Sequence, residues 1–254
     1  MSGAAGVRHI VFRLVDTSPS EAPLAEPKTT ESDVHADSPL GFVPLLVMFD
    51  LDGTLIDTMQ HFADLAAELM QEHHGLELAT ARRRYLETSG IPLRQQLELI
   101  VPGDARNDRV SELYEDRKTS ICLRAEMPSD TVSALERLQR EGVRVALSSN
   151  SAQHFVDELA ARSPVRFDLT LGFGDGLAKG EAHVAEVERR LGIAPEQILF
   201  VGDSLKDGEL AQRCKQRFVG VAGTFSPDDF KQRFGAEQLV VARVAELPAL
   251  IFGR

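Results

Sequence analysis

The sequence predicts an α/β protein, a doubly wound parallel sheet interrupted after its first strand by a block of helices. Three observations carry this. From Pro128 onward, short apolar runs of strand length alternate with amphipathic helical stretches, the pattern of a parallel sheet with helices on both faces. One further run, Leu45-Leu46-Val47-Met48-Phe49, stands alone well upstream. Between the two, from residue 58 to about 126, apolar residues recur only at helical spacing.

The elements follow in order. His9 to Val15 could form a short extra strand, and Thr17 to about Ser38, rich in Ser, Pro, Glu, Asp, Ala and Thr, is too poor in large apolar residues to order itself. Residues 1–43 are therefore expected to be a flexible extension. After the Leu45–Phe49 strand, Phe62, Leu65, Ala66 and Leu69 mark a helix that Gly75 would end. Further helices are expected over Thr80–Glu87, Leu93–Ile100 and Asn107–Leu123, the last with a face of Val110, Leu113, Tyr114, Arg117 and Ile121. Next come a helix over Thr131–Glu141 with Ser129 as a possible N-cap, a stop at Gly142, and a strand Val143–Leu147. The pattern continues with a helix carrying Phe155, Val156 and Leu159, a strand Phe167–Leu171, a helix Gly180–Leu191 and a strand Gln197–Val201. A helix to Lys215, strands at Phe218–Val221 and Leu239–Val241, and a closing helix complete the chain. The expected core is thus 44–57 with 127–254, and the inserted helical subdomain is 58–126.

Bulk properties exclude several functions. With 254 residues the chain can bury a sizeable core, and a net charge of -11 with both signs mixed argues against nucleic-acid binding or a basic membrane contact. Two cysteines, Cys122 and Cys214, make no disulfide framework and lack metal-ligand spacing. No cationic start leads into an apolar stretch, and no run approaches the roughly 18 apolar residues of a membrane span, so a soluble cytoplasmic protein is expected.

The chemistry lies at strand ends. Asp50-Leu51-Asp52-Gly53-Thr54 closes the first core strand, and side chains two apart on an extended segment point the same way. A calcium loop would need glycine sixth and glutamate twelfth, whereas Gly53 is fourth and His61 stands where the glutamate belongs. Ser148-Ser149-Asn150 follows the strand at Val143, and Asp203 with Asp207 follows the strand at Ile198. In a parallel sheet these groups converge at the carboxyl edge, where ligands bind. Three carboxylates there could gather a magnesium ion, while a hydroxyl and backbone amides hold a phosphate. Lys179, before a predicted helix, is the candidate fixed cation.

These motifs, in this order, resemble those of the haloacid dehalogenase superfamily, and in particular its phosphoglycolate phosphatase-like branch with a helical cap. The resemblance runs from about Val47 to Ile251: Asp50 to Thr54 as the first motif, the strand ending at Ser149 as the second, Lys179 as the third, and Gly202-Asp203-Ser204-Leu205-Lys206-Asp207 as the fourth. It implies a Rossmann-like core and a phosphatase in which Asp50 is the nucleophile and forms an aspartyl-phosphate. Asp52 would protonate the leaving oxygen and then activate water. Magnesium would be held by the Asp50 carboxylate, the Asp52 carbonyl and Asp203, with Asp207 steadying the metal's surroundings or Lys179 from behind. Ser149, Asn150 and Lys179 would bind the substrate phosphate, with Ser148 the neighbouring choice for the hydroxyl and Lys206 the competing cation. The chain departs from many relatives in lacking a proline after Lys179, where Gly180, Glu181 and then His183 stand nearby.

The helical insertion matches the family's cap, and Ser89-Gly90-Ile91-Pro92-Leu93 resembles its substrate-specificity loop. Arg94 reads as an exposed helix arginine, and the adjacent His73 and His74 diverge too far on a helix to chelate together. The expected substrate is a small phosphorylated metabolite, such as phosphoglycolate or a sugar phosphate, with no nucleic acid or membrane and with a monomer or homodimer as the acting unit. A phosphomutase and a catalytically silent binding protein are the alternative readings.

Overall fold

The computed structural model describes residues 38–122 and 124–253. The strand expected at residues 9–15, and all but the last residue of the segment expected to be flexible, lie outside them. Residues 38–43, expected to belong to the extension, lie against the core instead. Leu40 is buried in it, the Arg217 guanidinium sits 4.4 Å from the centre of the Phe42 ring, and Ser38 Oγ donates to the Leu250 carbonyl at 3.2 Å. The apolar side chains at 40 and 42 outweigh the polar character of their neighbours.

The strands are β1 (Leu46–Phe49), β2 (Arg144–Ala152), β3 (Leu169–Phe173), β4 (Ile198–Gly202), β5 (Arg217–Val221) and β6 (Val240–Val241). They form one parallel sheet in the order β3-β2-β1-β4-β5-β6. The chain leaves β1 toward β2 and β3, then jumps back across β1 to β4, so the order reverses between β1 and β4. A crevice opens there at the strand carboxyl ends.

Helices cover both faces, which is why the central strands are apolar on both sides. Leu46, Met48, Ala146, Ile198 and Phe200 face Val187 of α7 (Glu181–Leu191) and Ala211 of α8 (Leu205–Arg213). The alternate residues Val47, Phe49, Val145, Leu147, Leu199 and Val201 face α5 (Ser129–Arg140), α6 (Gln153–Arg162) and α10 (Leu247–Phe252). A last helix, α9 (Pro227–Phe234), was not expected from sequence, because only Phe230 and Phe234 mark its apolar side. Ser226 caps it reciprocally with Asp229.

Between β1 and α5 lie four helices, α1 (Met59–His74), α2 (Leu78–Glu87), α3 (Leu93–Ile100) and α4 (Asn107–Cys122). Helix α1 packs on α2 and α4, and Phe62 meets Tyr114 edge-on while the Tyr85 and Tyr114 hydroxyls bond at 2.6 Å. Gly75, left-handed at φ 74°, ends α1, and the Glu77 carboxylate caps α2.

One strand departs from expectation in a way that matters. β2 does not stop at Leu147 but runs through Ser148, Ser149 and Asn150 to Ala152. Polar as they are, Ser148, Ser149 and Ser151 are buried and hydrogen-bonded. No helix among the described residues is long and apolar enough to cross a membrane.

Candidate active site

Asp50 ends β1, and its N–H still donates to Val201 O of β4 at 2.8 Å, so its side chain enters the crevice on the α7 and α8 side. Lys179 reaches it from the loop before α7. Its Nζ lies 2.5 Å from Asp50 Oδ1 and 2.8 Å from Asp207 Oδ1, and sits 5.7 Å from the centre of the Phe200 ring, with the side chain only 3 % exposed. Asp207 is in the first turn of α8. Its second oxygen accepts the Ser204 N–H (3.1 Å) and hydroxyl (2.7 Å) in a capping box, so both of its oxygens are engaged. Asp203, at the end of β4, accepts the Thr224 hydroxyl on Oδ2. Carboxylate oxygens of Asp50, Asp203 and Asp207 all lie within 4.8 Å of one another.

Gly53 makes this approach possible. Its φ is +82°, and a Cβ there would stand 2.3 Å from Asp203 Oδ2.

Charge dominates the site. Three buried carboxylates face one ammonium, so with all three ionised two negative charges would stand uncompensated in a medium that solvates them poorly. Burial pushes the Asp50 carboxyl up to about 7 against the pull of Lys179, and Asp207 and Asp52 push it further the same way. Burial, with Asp50 and Asp207 close by, holds Asp203 well above the usual carboxylate range. Burial alone would lower Lys179, but Asp207 and Asp50 outweigh it and hold the ammonium above its ordinary value. Asp50 Oδ2 and Asp203 Oδ1 have no hydrogen-bond partner among the described residues. Two free carboxylate oxygens and two surplus charges suit a hard divalent cation.

Asp52 is held differently. Its oxygens accept the Thr58 hydroxyl at 2.9 Å and the Ser151 hydroxyl at 3.0 Å, and Lys118 Nζ lies 3.8 Å away. Lys118, from α4, donates to Ser151 Oγ at 3.0 Å and stands 4.8 Å from the centre of the Phe62 ring. Burial opposes its charge, yet Asp52 and Glu115 keep it raised. Sequence reasoning missed both Lys118 and Ser151. A signal existed for Lys118, which follows Val110 and Tyr114 at intervals of four and so continues the buried stripe of α4.

The other expected residues divide clearly. Ser149 lines the same cavity as Asp50, Asp52, Lys179 and Asp203, with its Oγ accepting the Ser151 N–H at 3.0 Å. Ser148 turns away to His183. Asn150 lines the cavity too, but its amide donates to the Gly90 carbonyl at 3.2 Å, which ties β2 to the inserted helices. Lys206 pairs with Glu209 (3.1 Å), and Arg94 with Glu98 and Asp108, so neither competes for the site. His74 Nε2 meets Asn107 Oδ1 far from it.

The cavity measures about 70 Å³ and is roofed by Met59, Phe62, Tyr85, Ser89, Ile91 and Lys118. The Ser89 hydroxyl is buried without a hydrogen-bond partner among the described residues.

Residues 47–221 match the model of the haloacid dehalogenase-like hydrolase family. The phosphoglycolate phosphatase of Pseudomonas putida is 30% identical over 201 residues, 71% of this chain and 70% of that protein. The phosphoglycolate phosphatase of Pseudomonas syringae pv. tomato is 31% identical over 188 residues, 68% of this chain and 67% of that one. Among solved structures, a haloacid dehalogenase-like family hydrolase from Streptococcus pneumoniae has the same fold, with a TM-score of 0.66 at 17% identity over 82% of this chain and 97% of that chain. CbbY from Rhodobacter sphaeroides, solved in complex with phosphate, superposes with a TM-score of 0.61 at 18% identity, over 80% and 96%.

Proposed function

This chain belongs to the haloacid dehalogenase-like hydrolase family, and from that premise we propose that it is a magnesium-dependent phosphatase that cleaves a small phosphomonoester through an aspartyl-phosphate. The observation that carries the reading is the meeting of Asp50, Asp203 and Lys179 in one buried cavity that Ser149 and Asp52 also line.

Asp50 and Asp203, with the main-chain carbonyl of Asp52, are the groups to hold the magnesium ion; once bound, it cancels the surplus negative charge and lets an anionic nucleophile approach an anionic ester. An Asp50 oxygen attacks phosphorus, the ester P–O bond breaks, and Asp52 gives its proton to the departing alkoxide. Water then attacks the aspartyl-phosphate, Asp52 takes the water's proton, and inorganic phosphate leaves with Asp50 restored. Thr58, Ser151 and Lys118 hold Asp52 in place for both transfers. Lys179 and Ser149 steady the nonbridging oxygens, and Asp207 holds Lys179 from behind.

The leaving group meets the roof. A narrow cavity, a Ser89 hydroxyl with no hydrogen-bond partner among the described residues and the Lys118 ammonium suit a short alcohol bearing a carboxylate, and two relatives are named for phosphoglycolate.

Phosphate release from a panel of small phosphoesters, with magnesium and with chelator, tests the proposal. Turnover of phosphoglycolate that needs magnesium but no bisphosphate primer supports it. A primer requirement would point to a phosphomutase, and no turnover of any ester to a binding protein.

A further inference from the structure

β2 and β3 pair regularly as Ala146↔Leu169, Leu147↔Thr170 and Ser148↔Leu171, then resume at Ala152↔Phe173. Three residues of β2, Ser149, Asn150 and Ser151, therefore stand opposite the single residue Gly172. These three are the β2 residues that line the cavity. A bulge re-aims side chains, but it breaks the ladder and leaves backbone groups of the facing strand to be satisfied elsewhere.

Two side chains do this for Gly172. Its N–H donates to Gln153 Oε1 at 2.6 Å, and its carbonyl meets His183 Nε2 at 3.0 Å. A carbonyl only accepts, so Nε2 carries the proton and Nδ1 is left as an acceptor for the Ser148 hydroxyl, 2.8 Å away. His183 and Ser148 are wholly buried. The chain thus fills the ladder gap with a neutral imidazole that spans both strands. Burial, with Lys179 nearby, keeps the ring neutral by lowering its affinity for a proton, in line with the acceptor role of Nδ1. The same histidine sits in the first turn of α7, four residues beyond Lys179. One side chain joins the bulge, β3 and the segment that delivers the site's lysine.

We propose that His183, assisted by Gln153, is a positioning residue that holds the β2 bulge and the start of α7 in register, and so sets Ser149 and Lys179 for phosphoryl transfer. This rests on the reading of Ser149 and Lys179 as the groups that meet the phosphoryl oxygens. The required chemistry is one donor and one acceptor on a flat uncharged group, which glutamine shares and phenylalanine lacks.

The experiment compares His183→Phe, His183→Gln, Ser148→Ala and Lys179→Met in the full chain with magnesium. It measures kcat and KM for one small phosphoester, inhibition by inorganic phosphate, and circular dichroism. His183→Phe is expected to stay folded, lose about tenfold or more in kcat and bind inorganic phosphate about fivefold more weakly, since a small displacement of a reacting group costs this much. His183→Gln should recover most of the loss. Ser148→Ala should cost a few-fold alone and almost nothing when added to His183→Phe, because both remove one contact. The idea is overturned if His183→Phe keeps kcat and phosphate inhibition within about twofold of wild type, or if Phe and Gln are equally impaired. Should His183→Phe not fold, Ser148→Ala decides: wild-type kinetics would overturn the proposal and a few-fold loss would support it. Lys179→Met at full rate would bring down the reading of the site and this inference with it. An inactive Lys179→Met beside an unimpaired His183→Phe would remove only the inference.

Discussion

Asp50 is packed together with two other carboxylates, Asp203 and Asp207, and one ammonium, and this imbalance decides what its replacement should do. Asp50→Asn removes the proposed nucleophile together with one buried negative charge. Turnover should fall by about three orders of magnitude or more, and in chelator the melting temperature should not drop. Retained activity would exclude Asp50 as nucleophile. Lys118→Met should raise KM for phosphoglycolate more than for glycerol 3-phosphate, which has no carboxylate, and should lower kcat for both because Asp52 loses its support. Equal KM changes would remove Lys118 from the leaving-group side. At His183, burial takes the imidazole from 6.5 down to about 4. The unfolded chain then binds more protons between these values, so this residue's contribution is intact above about pH 6.5 and fades as pH falls toward 4. Asp50, raised in the fold, pulls the opposite way. The difference between wild type and His183→Gln isolates the histidine: urea unfolding should show wild type losing roughly 2 kcal/mol more between pH 7 and 4.5.

At the level of elements, the inserted helices α1–α4 share one apolar cluster with the sheet and also meet it through close polar contacts. The loop before α3 brings Gly90 against the turn that opens α8, where its carbonyl accepts from Asn150. Gly90 has φ +92°, and a Cβ would stand 2.5 Å from Ser204 Oγ and 2.7 Å from Lys206 Cβ. Gly90→Ala therefore adds backbone strain and a clash where the loop meets the start of α8. It should lower kcat/KM by about tenfold or more while moving the melting temperature by only a few degrees, since the cores of cap and sheet are untouched. Kinetics and a thermal scan on the same sample check this. The capping box of α8 shows the same economy: Ser204 closes the helix end and holds Asp207 toward Lys179. A cap seen in isolation would look purely structural.

For the whole molecule, a divalent cation should act as a ligand of the folded state. Magnesium at about a hundred times its dissociation constant should stabilise by roughly 2.7 kcal/mol and raise the melting temperature by about 5–10 °C in a protein of this size. Asp203→Asn should abolish the rise whatever the enzyme's activity. The N-terminal boundary is testable in the same way. A chain starting at Pro44 lacks Leu40 and Phe42, both packed on the core, and should melt about 5 °C lower than one starting at Ser38. Turnover per folded molecule should match, as none of the removed residues lines the cavity.

Hydrophobic period predicted the parallel α/β class and the block of helices after β1, because strand and helix alternation is a local pattern, and the strand-end motifs with their family resemblance pointed to Asp50, Asp52, Ser149, Lys179, Asp203 and Asp207, which the fold brings to one edge of the sheet. The missed parts share one cause. The strand was expected to end at Leu147 or Ser149 rather than Ala152 because the polar side chains that continue β2 find partners far along the chain: Asp52, Lys118 and His183. Asn150 was expected at the phosphate, yet the fold turns its amide to Gly90. The partners of Lys118, Ser151 and His183 could be assigned only once α4, β2 and α7 were brought together. Which polar groups are buried as partners is a property of tertiary packing, since each is stable in the interior only beside a complement that sequence neighbours do not supply.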